Sequence, residues 1–379
     1  MSKIQKILLS IIVIILLSAG GFALYYYYSK KAPTTVKGPE QPGQITISPQ
    51  QSIEVIDSKL KKISKAEAVS PVAGADGKKL IYISKEGGVL ELDFTGENVK
   101  ETKSTFPLQN LFKVLWSRDR TAFAAVYANP DGRKISYYNI AAKQTASYDS
   151  SLSTLAFSKT DDRIAYHSVN DLLGTNAFFT ANQDGGAAQQ VLATRLRDAR
   201  IEWLGNGKIA VSTAPSGLAQ NMLWLLDVTT KKMSAVLSNM NGLTFLWNQK
   251  GDGVLFSQTG DNGKGLVLSA TNQNGGEIKK LNVQTLPEKC AFSQDGMTAV
   301  CAAPKTAPDI IWPDDYYKGL YDAQEQIWKI HLETGKQDLL YEFARDNNFD
   351  VVSPVLSPDG MYLAFVNKKD GHLYSLKVK

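Results

Sequence analysis

The chain is short of the side chains on which most enzymes depend. Histidine occurs three times in 379 residues, at His167, His331 and His372, too dispersed to supply the ligand cluster of a metal site. Each falls in or beside a strand pattern, where a hydrogen-bonded structural histidine is the default reading. No His-Glu-x-x-His run, Gly-x-Ser-x-Gly elbow or P-loop occurs, so no motif supports zinc-hydrolase, α/β-hydrolase or nucleotide chemistry. Asp-rich turns such as Asp261-Asn262-Gly263 lack the alternating carboxylates and terminal Glu of a calcium loop. These absences lead to the expectation of a non-enzyme without cofactor or metal.

A basic excess is also missing from most of the chain. The formal charge is +5, from 42 basic and 37 acidic residues. Lys3, Lys6, Lys30, Lys31 and Lys37 all precede the first acidic residue, Glu40, and account for the whole excess. The remainder is formally neutral, without the basic footprint that nucleic-acid binding leaves. Long apolar patterns of period 3.6 are absent too, which disfavours helical repeats.

One long apolar run is present. Residues 7–28 carry no charged side chain; as a helix they rise about 33 Å, enough for a hydrocarbon core of about 30 Å. Tyr25 to Tyr28 form an aromatic belt at one end, followed by Lys30 and Lys31. The expectation is an uncleaved signal anchor with residues 1–6 in the cytoplasm. The competing reading is a cleavable signal peptide, for which Ser18-Ala19-Gly20 offers small residues. Residues 29–52, with Pro33, Pro39, Pro42 and Pro49, read as an extracytoplasmic linker to a body at 53–379.

Within that body one phrase recurs seven times, at intervals of roughly 41 to 46 residues with one longer exception. An apolar or aromatic pair leads into a polar turn, and a second apolar strand follows. The turns centre on Asp76-Gly77, Asp119-Arg120, Asp162-Arg163, Asn206-Gly207, Asp252-Gly253, Asp295-Gly296 and Asp359-Gly360. Asp bonds back to nearby backbone and Gly tolerates positive φ, which suits a tight turn. A third strand follows in each unit: 89–93, 135–140, 177–181, 222–227, 265–269, 326–331 and 372–376. Four antiparallel strands per repeat describe a propeller blade, so the fold class is all-β: a seven-bladed β-propeller preceded by one transmembrane helix. The chain stops after the third strand of the last unit, leaving an edge to be filled. A strand near 59–64 fills it; the competing reading is a helix over 49–62, with Ile53, Ile56, Leu60 and Ile63 at helical spacing.

The Ser357-Pro358-Asp359-Gly360 turn and its following Leu363-Ala364-Phe365 strand resemble the WD40-like repeat of TolB-type bacterial propellers, with weaker copies at 117–120, 158–163 and 293–296. The resemblance covers 66–379. It implies the fold but little about function, since such repeats occur in binding propellers, peptidase accessory domains and some enzymes.

Two features stand out from the repeat. If Ser293 faces Thr298 across its turn, Cys290 faces Cys301 directly, and an oxidising compartment favours a disulfide between them. The alternative is two buried thiols. Residues 304–325 form an insertion between second and third strands of the sixth unit, with Asp309, Asp314, Asp315 and Asp322 giving it negative character. Its Trp312, Tyr316, Tyr317 and Tyr321 are side chains that anchor interfaces or fold back as a brace, and both readings stand. Trp312, Asp314, Asp315, Tyr316, Tyr317 and Tyr321 are the candidate binding loop, and no catalytic residues are assigned. By topology, connections at 170–176 and 214–221 share a face with this insertion. The expected function is a membrane-anchored, extracytoplasmic binding or scaffold module for a protein, peptide or glycan of the cell envelope. The alternative is a propeller hydrolase or lyase acting on envelope polysaccharide, with Asp314 and Asp315 as acid–base candidates.

Overall fold

The computed structural model describes residues 53–379, apart from short stretches at 87, 103–105, 107–108, 131, 171–173, 322–323 and 345–348. The expected tail, anchor and linker lie outside the described residues. Among those described, no helix is long and apolar enough to cross a membrane.

Seven antiparallel sheets form the blades of a propeller. Their first, innermost strands are Ala68–Ala73, Leu111–Trp116, Leu152–Phe157, Ala199–Trp203, Phe245–Trp247, Cys290–Phe292 and Val351–Leu356. The last blade is completed from the other end of the body. Leu60–Lys62 pairs with Leu373–Lys377, Leu60 facing Leu376, and Glu54–Val55 adds a fifth strand outside it. Covering this edge removes an open row of backbone donors and acceptors, and Leu60 is fully buried there.

The repeated turn has a common mechanism. Ser117, Ser293 and Ser357 each donate their hydroxyl to the Asp two residues on, at 2.7, 2.6 and 2.6 Å. The same oxygens accept the backbone N–H of Ala122, Thr298 and Tyr362 at 3.0, 3.0 and 2.9 Å. Asn248 does the equivalent work in blade 5, its Oδ1 accepting from Gly251 N at 2.8 Å.

The core lies between blades rather than within one. One cluster joins Val300, Ile327 and Phe343 of blade 6 to Val351, Leu363 and Phe365 of blade 7 and to Leu60. Another joins Ile81 and Ile83 of blade 1 to Val114, Phe123 and Tyr127 of blade 2. Polar stitches supplement them: Trp116 Nε1 donates to Ser70 O at 2.8 Å, and Val114 N to Ser70 Oγ at 2.9 Å.

In this topology the first strands begin on the face that carries the second-to-third-strand loops, here called the upper face. The turns between first and second strands lie on the lower face. Cys290 pairs directly with Cys301, and their sulfurs are joined in a disulfide.

Candidate functional site

The 304–325 insertion leaves Thr298–Pro304, makes one helical turn at Asp314–Tyr317 and returns as Glu325–His331. Trp312 and Tyr316 are buried against Leu266 and Leu286. Their rings stack at 5.9 Å, and Tyr321 meets Trp312 edge-on at 5.8 Å. Both candidate carboxylates are turned inward to backbone. Asp314 accepts from Gly217 N at 2.7 Å and from Ser216 Oγ at 3.1 Å, while Asp315 accepts from Ile311 N at 2.9 Å. Trp312 N donates to Gly263 O at 2.8 Å, and Lys264 pairs with Asp309 at 3.0 Å.

These bonds fuse three upper-face loops, from blades 4, 5 and 6, into one platform. Gly217 marks the tightest point: a Cβ there would lie 2.2 Å from Trp312 O and 2.8 Å from Gly263 Cα. Asn241 completes the junction, donating to Gly217 O at 3.1 Å and to Asp261 O at 3.3 Å. The 214–221 loop thus meets the insertion, whereas part of the 170–176 connection lies outside the described residues.

Beneath the platform is an ion cluster that bridges blades 6 and 7. Lys289, 2% exposed, places Nζ 2.7 Å from Glu325 Oε1 and 2.6 Å from Asp350 Oδ1, and donates to Val351 O at 3.0 Å. Glu325 Oε2 accepts from Val351 N at 2.7 Å, and Asp350 Oδ1 accepts from Tyr316 OH at 3.1 Å. Lys289 and Lys368 lie 4.7 and 4.1 Å from the Tyr316 ring centroid. Burial opposes the Lys289 charge, but Glu325, Tyr316 and Asp350 outweigh it and raise its pKa; burial also raises the Glu325 carboxyl. These ion pairs and hydrogen bonds tie blade 6 to blade 7.

Tyr317 lies outside the buried Trp312 and Tyr316 pair and turns to Glu288 and Arg200. Its OH donates to Glu288 Oε1, and the Arg200 guanidinium lies 5.5 Å from its ring centroid. Burial, then Glu288, raise its pKa well above the ordinary phenol value. Glu288 Oε2 accepts from Thr244 Oγ1 at 3.2 Å. Exposed apolar side chains gather on this face: Phe112 at 65%, Leu218 at 60%, Tyr317 at 43% and Leu320 at 71%. The fused loops thus carry an exposed apolar rim.

The histidines stay apart. His167 is fully buried, its Nδ1 2.9 Å from Ser153 Oγ, and burial pushes its pKa down. His331 lies 3.4 Å from Asp338, and His372 Nδ1 3.4 Å from Ser64 Oγ. Among the described residues, no three His, Cys, Asp or Glu side chains converge as a metal-holding group.

No family model matches the chain, and no curated protein matches it. Solved structures do. An oligogalacturonate lyase from Vibrio parahaemolyticus superposes with a TM-score of 0.62 at 12% identity, over 86% of this chain and 96% of that one. The β-propeller domain of Cps50 (Swd1) from Myceliophteria thermophila gives 0.55 at 10% identity, over 84% and 100%. TolB from Acinetobacter baumannii gives 0.43 at 14% identity, over 79% and 77%. The first two establish the class, a β-propeller, and at such identities they speak to the fold alone.

Proposed function

We propose that this propeller is a non-catalytic binding or scaffold module of the cell envelope, anchored by residues 7–28 and presenting its upper face to a protein partner. The carrying observation is the platform. Asp314, Asp315, Trp312 and Tyr316 are held inside it, and the apolar side chains of Leu218, Tyr317 and Leu320 are left on its rim. A surface whose supports are already ordered binds with little further loss of conformational freedom. The anchor and extracytoplasmic location rest on the sequence pattern at 7–28. The hydrolase or lyase alternative draws less support, because Asp314 and Asp315 accept backbone N–H groups of the platform itself.

Affinity capture from solubilised envelopes tests the reading, comparing the full-length protein with a Leu218→Asp, Leu320→Asp variant of unchanged melting temperature. The expected result is a partner lost with the variant. Equal capture by both, or polysaccharide cleavage by the wild type that Asp314→Asn abolishes, would overturn it. Carbonate-resistant membrane association, with the body cleaved by protease added outside the cytoplasm, is expected of the anchor.

A further inference from the structure

All seven first strands end in the same turn bond. Gly74, Ser117, Ser158, Leu204, Asn248, Ser293 and Ser357 each donate N–H to the carbonyl that opens the second strand. Four positions before these residues stand Ser70, Lys113, Thr154, Arg200, Thr244, Lys289 and Ser353. Every blade therefore carries a hydroxyl or a cation at one register near the upper end of its innermost strand; Thr244 and Lys289 are buried there, whereas Lys113 and Arg200 are exposed. Lys289 is neutralised by Glu325 and Asp350. Lys113 and Arg200, on the blades flanking blade 3, make no ion pair among the described residues.

Lys113 is solvent-exposed by surface area, yet desolvation is the first cause lowering its pKa. Arg200 and Arg133 push in the same direction, and Glu202 and Glu288 oppose them incompletely. Both carboxylates have other engagements: Glu202 with Lys159 at 2.7 Å, and Glu288 with Thr244 and Tyr317. Lys113 and Arg200 are thus two exposed cations without an ion pair among the described residues, Arg200 held against Tyr317 and Lys113 next to the exposed ring of Phe112.

We propose that this pair receives an acidic side chain from a peptide segment of a partner protein, its carboxylate bridging Lys113 and Arg200. Apolar residues flanking that carboxylate rest on Phe112 and on the rim. The inference rests on the binding role of the upper face and adds the ligand's chemistry. The exposed Phe112 next to Lys113 favours a peptide over a sugar acid, because an apolar neighbour rewards apolar side chains rather than hydroxyls.

The test is lysine acetylation of the full-length protein at pH 8, read by mass spectrometry, with exposed Lys231 as internal reference. The probe is a hexapeptide of alternating Glu and Leu; the controls are an alternating Lys and Leu hexapeptide and trigalacturonate. Free Lys113 is expected to react faster than Lys231. The acidic peptide is expected to slow it saturably, by at least about tenfold, with protection lost in Arg200→Gln of unchanged melting temperature. No protection, or equal protection by the basic peptide, would overturn the proposal; protection by trigalacturonate alone would reassign the pair to an acidic sugar. A partner captured equally by wild type and Lys113→Met, Arg200→Gln would sink this inference while leaving the binding face intact.

Discussion

Replacing Lys289 by Met asks how firmly the platform is held to the ring. The substitution keeps most of the side-chain volume and removes a charge whose Nζ lies 2.7 and 2.6 Å from two buried carboxylates. Removing one partner of a buried ion cluster costs about 3–5 kcal/mol, because the remaining charges stay desolvated. Asp350 keeps the Tyr316 hydroxyl and Glu325 keeps Val351 N, so the lower half of that range is expected. At about 2 °C per kcal/mol for a body of this size, melting should fall by about 6–8 °C near pH 8.

The pH dependence carries a sign. Lys289 has a raised pKa, so the stability it adds is present at every pH below the free-lysine value of 10.5. Glu325 is raised by burial and is held down in part by Lys289. In the variant that restraint is gone, and the carboxyl takes a proton at higher pH still. A carboxyl with a higher pKa folded than unfolded contributes most below its unfolded value of 4.5 and loses that contribution as pH rises through the folded value. The deficit of Lys289→Met should therefore be smaller at pH 5 than at pH 8, and adding Glu325→Gln should recover part of it. Urea unfolding followed by tryptophan fluorescence at the two pH values reads both effects. A loss below about 1 kcal/mol, or one equal at both values, would refute the reasoning.

Four further outcomes follow from the same geometry. Gly217→Ala should destabilise by about 1–3 kcal/mol and red-shift tryptophan emission as Trp312 is pushed from its site, since the new methyl meets Trp312 O at 2.2 Å. Leu60→Ala should cost about 2–5 kcal/mol in denaturant unfolding, because Leu60 is buried in the strand that closes the last blade. Cys290→Ser should cost about 2–4 kcal/mol, as the bridge closes a loop of sequence separation 11, and free-thiol labelling should find Cys301 reactive after unfolding only in the variant. Asp295 and Asp359 are held below the ordinary carboxyl value first by Ser293 and Ser357. Their contribution is present above pH 3.8 and lost as pH falls through the folded values, so Asp295→Asn with Asp359→Asn should flatten the loss of melting temperature between pH 5 and pH 3.

Much of the ring was legible because its signals are local. The Ser-x-Asp turns need only six residues to state their hydrogen bonds, and the disulfide pairing follows from one turn register. The edge-covering strand was legible as an unpaired end that needed a partner. Boundaries drifted where glycine intervened: the third strand of blade 5 is Val267–Asn272 rather than 265–269. Gly263 and Gly265, both at positive φ, keep the chain turning until Leu266 drops beneath Trp312.

The candidate site was less readable, since its chemistry depends on long-range partners. Nothing near Asp314 in sequence announces Gly217, nearly a hundred residues earlier. Lys289 looks like any strand-flanking lysine until Glu325 and Asp350 are brought to it. Ser70-Pro71 and Ser353-Pro354 mark matching register shifts in the first strands of blades 1 and 7, with both serines at positive φ, a likeness the sequence shows but whose pairing only the sheets reveal.

The central claim, that the fused upper-face platform is the recognition surface, is tested most directly by site-specific photocrosslinking in living cells. A photoreactive residue is placed at Leu218 or Leu320 on the platform, or at Met297 in a lower-face turn or Ile278 beside an outer strand; all four are exposed. One common adduct is expected from Leu218 and Leu320 and none of that mass from Met297 or Ile278. The same adduct from all four sites, or adducts only from Met297 and Ile278, would contradict it.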